Sequence, residues 1–145
     1  MDTIAVPPPR TQGVHHVGLS VSDLDASTVF FLDVLGFRKI GQRPEYPAAM
    51  VSDGHTMITL WQVEDPDGCV LFDRRKNVGL HHVALLVPDV AALDALHDRL
   101  VQHDVAVEFA PQARADAMAR HMMCYIPGGP RMEFIVLTPP AATES

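Results

Sequence analysis

The sequence has few cysteines, no long hydrophobic run and no excess of positive charge. Its two cysteines, Cys69 and Cys124, are too few and too far apart for a disulfide framework or a Cys-x-x-Cys metal knuckle, so we expect both to be reduced. No apolar stretch approaches the roughly 20 residues that cross a bilayer. The first ten residues, MDTIAVPPPR, lack the basic and apolar regions of a signal peptide. These absences predict a cytoplasmic protein with no membrane partner.

Basic residues are scarce as well. Eleven Lys and Arg stand against eighteen Asp and Glu, which gives a formal net charge of -7. Such a chain lacks the basic surface that binds a phosphate backbone, so nucleic acid is not an expected partner. The composition, 48% hydrophobic and 20% charged, is ordinary for a globular protein, and 145 residues suffice for one domain with a core of its own.

A nine-residue segment occurs twice in the sequence. GVHHVGLSV at 13–21 and GLHHVALLV at 79–87 are identical at six of nine positions, with an offset of 66 residues. A fixed offset with both His pairs in register indicates an internal duplication. The predicted organisation is a flexible N-terminal tail at 1–12, one domain at 13–137 made of module one (13–64), a linker (65–78) and module two (79–137), and a flexible C-terminal tail at 138–145.

Each module shows the pattern strand, helix and three short strands. In module one, Ser22 and Asp23 offer N-cap oxygens, and Gly36 supplies a left-handed stop after an apolar stripe at helical spacing. In module two, Asp89 is the equivalent cap and the helix ends near His103. The strands that follow are predicted at 37–42, 48–52 and 56–63 in module one and at 105–109, 120–126 and 131–137 in module two. The sequence therefore predicts an α+β fold of two tandem βαβββ modules.

The duplicated histidines and one acidic residue predict a metal site. Two equivalent strands related by a pseudo-two-fold axis would bring equivalent histidines toward a common centre, and imidazole is a common metal ligand. Glu133 lies in the otherwise apolar strand RMEFIVL, where an unpaired charge is costly and a cation is a suitable partner. Two histidines and one carboxylate suit a divalent ion that also binds substrate.

These features resemble the vicinal oxygen chelate superfamily. Paired βαβββ modules, a His pair at the start of each, and a Glu-bearing strand after the Pro-Gly-Gly turn are its marks, and the resemblance covers residues 13–137. The superfamily includes glyoxalase I, extradiol dioxygenases, methylmalonyl-CoA epimerase, fosfomycin-resistance transferases and bleomycin-binding proteins. The resemblance implies modules arranged around a cavity that holds one divalent metal ion, of iron, nickel, zinc or manganese.

The resemblance assigns the metal ligands residue by residue. His16, His82 and Glu133 match the family's ligand positions. Thr59 falls at the fourth position, where glyoxalases and the epimerase have Glu or Gln, so this chain departs from their pattern and keeps three protein ligands. His15 and His81, one residue away on each strand, are expected to face the other side and to have structural roles.

Other residues are candidates for catalysis and for the substrate pocket. His121 is a candidate proton-transfer or substrate-orienting group, and Glu133 is a possible base. The predicted pocket residues are Thr59, Met57, Trp61, Met123, Tyr125 and Arg120. Arg120 is weighed as an anion clamp against a plain surface role, and the basic run at 74–76 as an anion-attracting entrance against a solvated turn.

Three functions remain open at this stage. The first is a metal-dependent, glyoxalase-like lyase or isomerase acting on a small-molecule substrate, with the metal as Lewis acid. The second is an Fe(II)-dependent extradiol-type dioxygenase, because two His and one carboxylate leave positions for substrate and O₂. The third is a non-catalytic binding protein like the bleomycin-resistance proteins. Members of the superfamily commonly dimerise, sometimes by exchanging modules, so a homodimer is expected.

Overall fold

The computed structural model describes residues 4–139, in which eight strands and two α-helices follow the βαβββ order twice. The elements of module one are β1 (His16–Val21), α1 (Leu24–Val29), a π-helical segment (Phe30–Val34), β2 (Arg38–Arg43), β3 (Ala48–Ser52) and β4 (Met57–Gln62). Those of module two are β5 (Val83–Leu86), α2 (Val90–Gln102), β6 (Ala106–Ala113), β7 (Ala119–Tyr125) and β8 (Arg131–Leu137). None of the helices between residues 4 and 139 is long and apolar enough to span a bilayer.

The strands form two sheets of the same topology. One has the order β1-β4-β3-β2 and the other β5-β8-β7-β6. In each sheet the first strand of the module pairs in parallel with the last, and the remaining pairs are antiparallel. The predicted α+β fold of two tandem βαβββ modules is confirmed.

Both helices begin at the predicted aspartates. The Asp23 carboxylate accepts a hydrogen bond from the Ala26 N–H at 3.0 Å, and the Asp89 carboxylate accepts one from the Ala92 N–H at 2.8 Å. These carboxylates satisfy N–H groups that have no partner within the helix. The first helix differs from the prediction, because its second half is π-helical. Gly36, at φ +76°, then reverses the chain as expected.

Two strand boundaries of module two differ from the prediction by more than one residue. The first strand begins at Val83, so His82 lies just before it, and β6 extends to Ala113 instead of ending at 109. The strand β6 contains two register shifts against β7, between Val107 and Phe109 and between Phe109 and Gln112. A β-bulge adds an extra residue to one strand, which bends that strand and changes the direction of its side chains.

The core lies on the helix-bearing side of both sheets. Alternate residues of β1 are buried there, Leu19 and Val21 for example, while their neighbours point to the opposite face. The helices contribute Phe30, Phe31, Leu93 and Leu100, all at most 2% exposed. The buried side chains of both modules belong to one continuous cluster, so burial of apolar area stabilises the two modules together.

Residues 63–82 connect β4 to β5 without a helix or strand. They include the stretch expected to be the linker. Among the expected tails, residues 4–12 and 138–139 also have no helix or strand, and positions 1–3 and 140–145 lie outside the described residues.

Candidate functional site

Strand alternation places the predicted residues of module two, except Arg120, on one face of its sheet. Glu133 pairs with Met123 of β7 and Ala84 of β5, and Arg131 pairs with Tyr125. His82 lies two residues before Ala84 and therefore on the same side. We call this surface the module-two face; its residues are His82, His121, Met123, Tyr125, Arg131 and Glu133. The other side of these strands belongs to the core.

Two imidazole nitrogens lie close to one oxygen of Glu133. His82 Nε2 is 3.5 Å and His121 Nδ1 is 3.6 Å from Glu133 Oε2. Glu133 is 8% exposed, and no hydrogen bond between described residues ends on its carboxylate. His121 Nδ1 is buried without a hydrogen-bond partner. Burial lowers the pKa of His82, partly offset by the Glu133 carboxylate, and this favours the neutral imidazole that a metal requires.

These donors fit a divalent cation. Two ligands that each lie about 2.1 Å from a metal, at a tetrahedral angle, are about 3.4 Å apart. The separation of His82 Nε2 and Glu133 Oε2, 3.5 Å, is close to that value. Glu133 supplies a buried carboxylate without hydrogen-bond donors among the described residues, and His82 supplies a neutral imidazole beside it. These are two of the three predicted ligands.

His16 lies on the other sheet. It pairs with Met57, and the same face of module one carries Thr59 and Trp61. His16 is exposed, and its Nδ1 is 2.8 Å from that of His15. Within residues 4–139 of one chain, no group of three His, Cys, Asp or Glu side chains is arranged to hold a metal ion. The structure thus brings His82 and Glu133 together and leaves His16 apart from them.

Thr59 is hydrogen-bonded to Trp61. Both lie on the surface that we call the module-one face, which carries His16, Met57, Thr59 and Trp61. Its hydroxyl oxygen accepts a hydrogen bond from Trp61 Nε1 at 2.9 Å, and the residue is 4% exposed. Gly18, on the adjacent strand, makes room for this pair, since a Cβ there would lie 3.2 Å from Thr59 Oγ1. The Tyr46 ring packs edge-on against Trp61 with centroids 5.0 Å apart. The Thr59 hydroxyl oxygen is therefore already engaged as a hydrogen-bond acceptor.

The remaining predicted pocket residues lie on different surfaces. Met123, 3% exposed, and Tyr125 lie on the module-two face, while Met57 lies on the module-one face. Arg120 lies on the opposite side of β7 from His121, and its Nη2 donates to the carbonyl of Pro111 at 3.3 Å. Arg120 does not reach His82 or Glu133 in this structure, because alternation along the strand directs it away from them.

Sequence reasoning missed a charged network at the end of the module-two face. Arg131 donates from Nη2 to Glu108 Oε2 at 2.6 Å and from Nε to Oε1 at 3.1 Å. The Tyr125 hydroxyl donates to Glu108 at 2.8 Å, and Arg74 Nη1 lies 3.3 Å from the same carboxylate. The hydrogen bond from Arg131 is the main reason that the pKa of Glu108 falls to about 2. The acid within the otherwise apolar stretch AVEFA was the available signal.

Phe109 was also missed. Its ring lies 4.9 Å from the ring of His121. The register shifts in β6 place Phe109 opposite Met123, so it joins the module-two face. It packs against the imidazole whose Nδ1 points toward Glu133.

Two βαβββ modules, one carrying a half-buried His and Glu pair on its open face, define a class of α+β proteins built by duplication around a ligand site. The family comparison agrees with this class. The chain belongs to the Glyoxalase/Bleomycin resistance protein/Dioxygenase superfamily, whose family model matches residues 13–134. The resemblance inferred from the sequence is confirmed.

Known proteins of this superfamily have several activities. A catechol-2,3-dioxygenase from Bacillus subtilis (strain 168) is 27% identical over 106 residues, 71% of this chain and 36% of that enzyme, so the chain spans about a third of the relative it matches. A glyoxylase/bleomycin resistance protein/dioxygenase domain from Frankia sp. EAN1pec superposes with a TM-score of 0.77 at 25% identity, over 88% of this chain and 93% of that one. Lactoylglutathione lyase from Agrobacterium tumefaciens gives a TM-score of 0.65 at 21% identity, over 90% and 96%. The last likeness shows the shared fold.

Proposed function

We propose that this protein is a divalent-metal-dependent enzyme that binds neighbouring oxygens of a small substrate, and that its reaction is a glyoxalase-like lyase or isomerase step. The observation that carries the proposal is the convergence of His82 and His121 on one oxygen of the buried Glu133. A lyase or isomerase of this kind moves a proton, and His121 offers a buried Nδ1 without a partner for that purpose.

We propose that His82 and Glu133 of one chain and His16 of a second chain hold the metal. His16 is exposed and lies apart from the other two within a chain, so a homodimer that sets the module-one face of one protomer against the module-two face of its partner would complete the set. Symmetry would then create two equal sites per dimer. A bound divalent ion would supply Lewis-acid polarisation of the substrate oxygens.

Residues around these ligands have distinct roles in the proposal. His121 gives or takes a proton at Nδ1, and the Phe109 ring that packs on it holds the imidazole plane. Met123 from one protomer, with Met57 and Trp61 from the other, excludes water from the substrate. Thr59 keeps Trp61 oriented through its hydrogen bond.

Metal binding by mixed dimers tests the shared site. Elemental analysis after dialysis against zinc, nickel, manganese or iron should give about one equivalent per chain, and His16→Ala and Glu133→Gln should each bind none. When the two variants are unfolded together and refolded as a mixture, heterodimers regain one intact site of two, so metal returns to about a quarter of the normal content. His55→Ala, an exposed histidine on the turn before β4, is the control and keeps full content. If mixing the two variants restores no metal binding, the site is not shared between chains.

Absence of metal in the unmodified protein, even after reconstitution, rejects the metal site and makes a binding protein the leading function.

Proton exchange tests the reaction class. In deuterated buffer, the metal-loaded protein should incorporate deuterium into the product formed from a hemithioacetal, followed by NMR. His121→Gln should keep the metal and lose activity by roughly 10²-fold or more, the usual contribution of a general acid or base. Failure to turn over hemithioacetals with nickel, zinc and manganese in turn rejects this class.

A ring-cleaving dioxygenase is the second candidate. The relative named catechol-2,3-dioxygenase and the lack of a fourth acidic ligand at Thr59 support it, because two His and one carboxylate leave positions for substrate and O₂. Oxygen uptake by the iron-loaded protein with a panel of catechols under reducing conditions decides between the two. Uptake favours the dioxygenase, and its absence with a fully loaded protein excludes catechol cleavage.

A further inference from the structure

A cavity of about 470 Å³ opens beside the charged network, at the junction of the segment before β5 with module two. Its lining residues are Phe72, Asp73, Arg74, Arg75 and Tyr125. Tyr125 belongs to the module-two face, so the cavity continues the surface on which Glu133 lies. Two guanidinium groups and a phenol around one small cavity are a donor-rich arrangement.

Positive charge exceeds negative charge around this cavity. Arg74, Arg75, Lys76 and Arg131 contribute four cations, and Asp73 and Glu108 contribute two carboxylates. Within the described chain, no carboxylate lies within ion-pairing distance of Arg75. A local positive excess in a protein with a formal net charge of -7 attracts anions to one place.

The existing contacts leave hydrogen-bond donors free. Arg74 uses Nη1 to reach Tyr125 at 3.1 Å and Glu108 at 3.3 Å, so its other N–H groups remain available. The Asp73 carboxylate is turned toward its own loop, accepting from the Arg75 backbone N–H at 2.9 Å and lying 3.9 Å from Lys76 Nζ. Glu108 and Tyr125 therefore fix Arg74 in place, and the Arg75 guanidinium is unengaged.

The cavity lies beside the strand that carries Glu133. Tyr125 pairs with Arg131, which lies two residues before Glu133 on the same face of β8. Two residues along a strand span about 6.6 Å. One small molecule can therefore present oxygens near Glu133 and an anionic group at Arg74.

We propose that this cavity binds the anionic group of the substrate, a carboxylate or a phosphate, through the guanidinium groups of Arg74 and Arg75. Glu108 and Tyr125 are positioning residues, because they hold Arg74 through a hydrogen bond and an ion pair. The role of the ligand as substrate rests on the proposed function; the binding of an anion does not. The substrate class is thus a small molecule with two neighbouring oxygens and a negatively charged group several ångströms away.

Tyrosine labelling gives a direct measurement, because the chain has two tyrosines. In metal-free protein labelled with ¹³C at the tyrosine Cζ, Tyr125 reports the cavity and Tyr46, in module one, is an internal control. Tyr46→Phe assigns the two signals. The probes are succinate and inorganic phosphate, with succinamide as the uncharged analogue, all at constant ionic strength.

We expect a saturable shift of the Tyr125 signal with succinate or phosphate and none with succinamide. Whichever anion binds more tightly identifies the ligand group. Arg75→Gln, which breaks no contact in the structure, should weaken binding at least about tenfold, and Arg114→Gln, an exposed arginine before β7, should not. The proposal is wrong if Arg75→Gln binds the anions as tightly as the unmodified protein, or if neither anion gives a saturable shift. The charged network would then serve only as a structural anchor for the connecting segment. Because the protein is metal-free, such a failure leaves the metal stoichiometry test unaffected.

Discussion

The Ser22 backbone N–H donates to the Gly128 carbonyl oxygen at 3.0 Å, and the Ser22 hydroxyl donates to the same oxygen at 3.2 Å. Ser22 follows β1 in module one and Gly128 belongs to the turn between β7 and β8 in module two. The Ser27 hydroxyl donates to the Pro127 carbonyl beside them. This turn therefore joins the modules by hydrogen bonds to its backbone.

Gly128→Ala should destabilise the protein by about 2–4 kcal/mol. Gly128 has φ +104°, and a Cβ there would lie 3.0 Å from Val21 Cβ and collide with the Ser27 hydroxyl. Gly54→Ala is the matched control, with φ +92° and open space around its Cβ position, and it should cost only the backbone strain of about 1 kcal/mol. Urea unfolding measures both. Equal losses of stability in Gly128→Ala and Gly54→Ala would mean that the close contact of Gly128 with module one does not contribute to stability.

Glu108→Gln should lower stability by about 1–2 kcal/mol at neutral pH, a value discounted for the partial exposure of the group. The folded-state pKa of Glu108, about 2, lies below the ordinary value of 4.5, so its ionised form stabilises the folded state above about pH 4.5. That contribution is lost as the pH falls toward 2. The difference between the two proteins, from urea unfolding at several pH values, should therefore shrink below pH 4.5.

The control for this experiment is Glu45→Gln, which changes an exposed carboxylate in module one. It should leave stability within about 0.5 kcal/mol at every pH. A constant difference between Glu108→Gln and the unmodified protein from pH 7 to pH 3 would contradict the ionic role of Glu108.

Only one of the two thiols should react in the folded protein. Cys124 is 0% exposed, and burial raises its pKa to about 12, so little thiolate forms at neutral pH. Cys69 is partly exposed. A chromogenic disulfide reagent should modify one thiol per chain before unfolding and two in denaturant, and Cys69→Ala should remove the fast reaction. Fast reaction in Cys69→Ala would show that Cys124 is accessible.

Thr59→Val should free the indole N–H of Trp61. The substitution keeps the shape of the side chain and removes the acceptor 2.9 Å from Nε1, with an expected stability loss of about 0.5–1.5 kcal/mol. The single indole N–H signal in the proton NMR spectrum should exchange faster with solvent. Thr56→Val, in the preceding turn, is the control. Unchanged exchange in Thr59→Val would mean that the hydrogen bond is absent in solution.

Much of the fold was predictable because the chain repeats itself. The offset of 66 residues aligned both modules, and short polar caps such as Asp23 and Asp89 marked the helix starts. The π-helical segment was not predictable, since the Leu35 N–H donates to the carbonyl of Phe30, five residues back, and an α-helix would use a residue four back. Sequence spacing gives periodicity and carries no information on one extra residue in a turn.

The site was predictable only where strand pairing is regular. His82 and Glu133, which the family resemblance named as ligands, share a face because β5 pairs in parallel with β8. Arg120 was assigned to the pocket as a possible anion clamp, although it neighbours His121 on a strand and therefore faces the opposite way. The position of Glu108 on the sheet depends on a bulge in β6, and the sequence pattern does not specify where a bulge falls.

Trp61 is the one tryptophan of the chain and lies partly exposed on the module-one face, with the ring of Tyr46 against it. The protein therefore carries an intrinsic fluorophore at the surface that a second chain would cover. The wavelength of its fluorescence emission maximum and its quenching by small solutes report the solvent exposure of that surface without a dye or label. Serial dilution followed by this emission would give the strength of self-association in the same cuvette as a ligand titration.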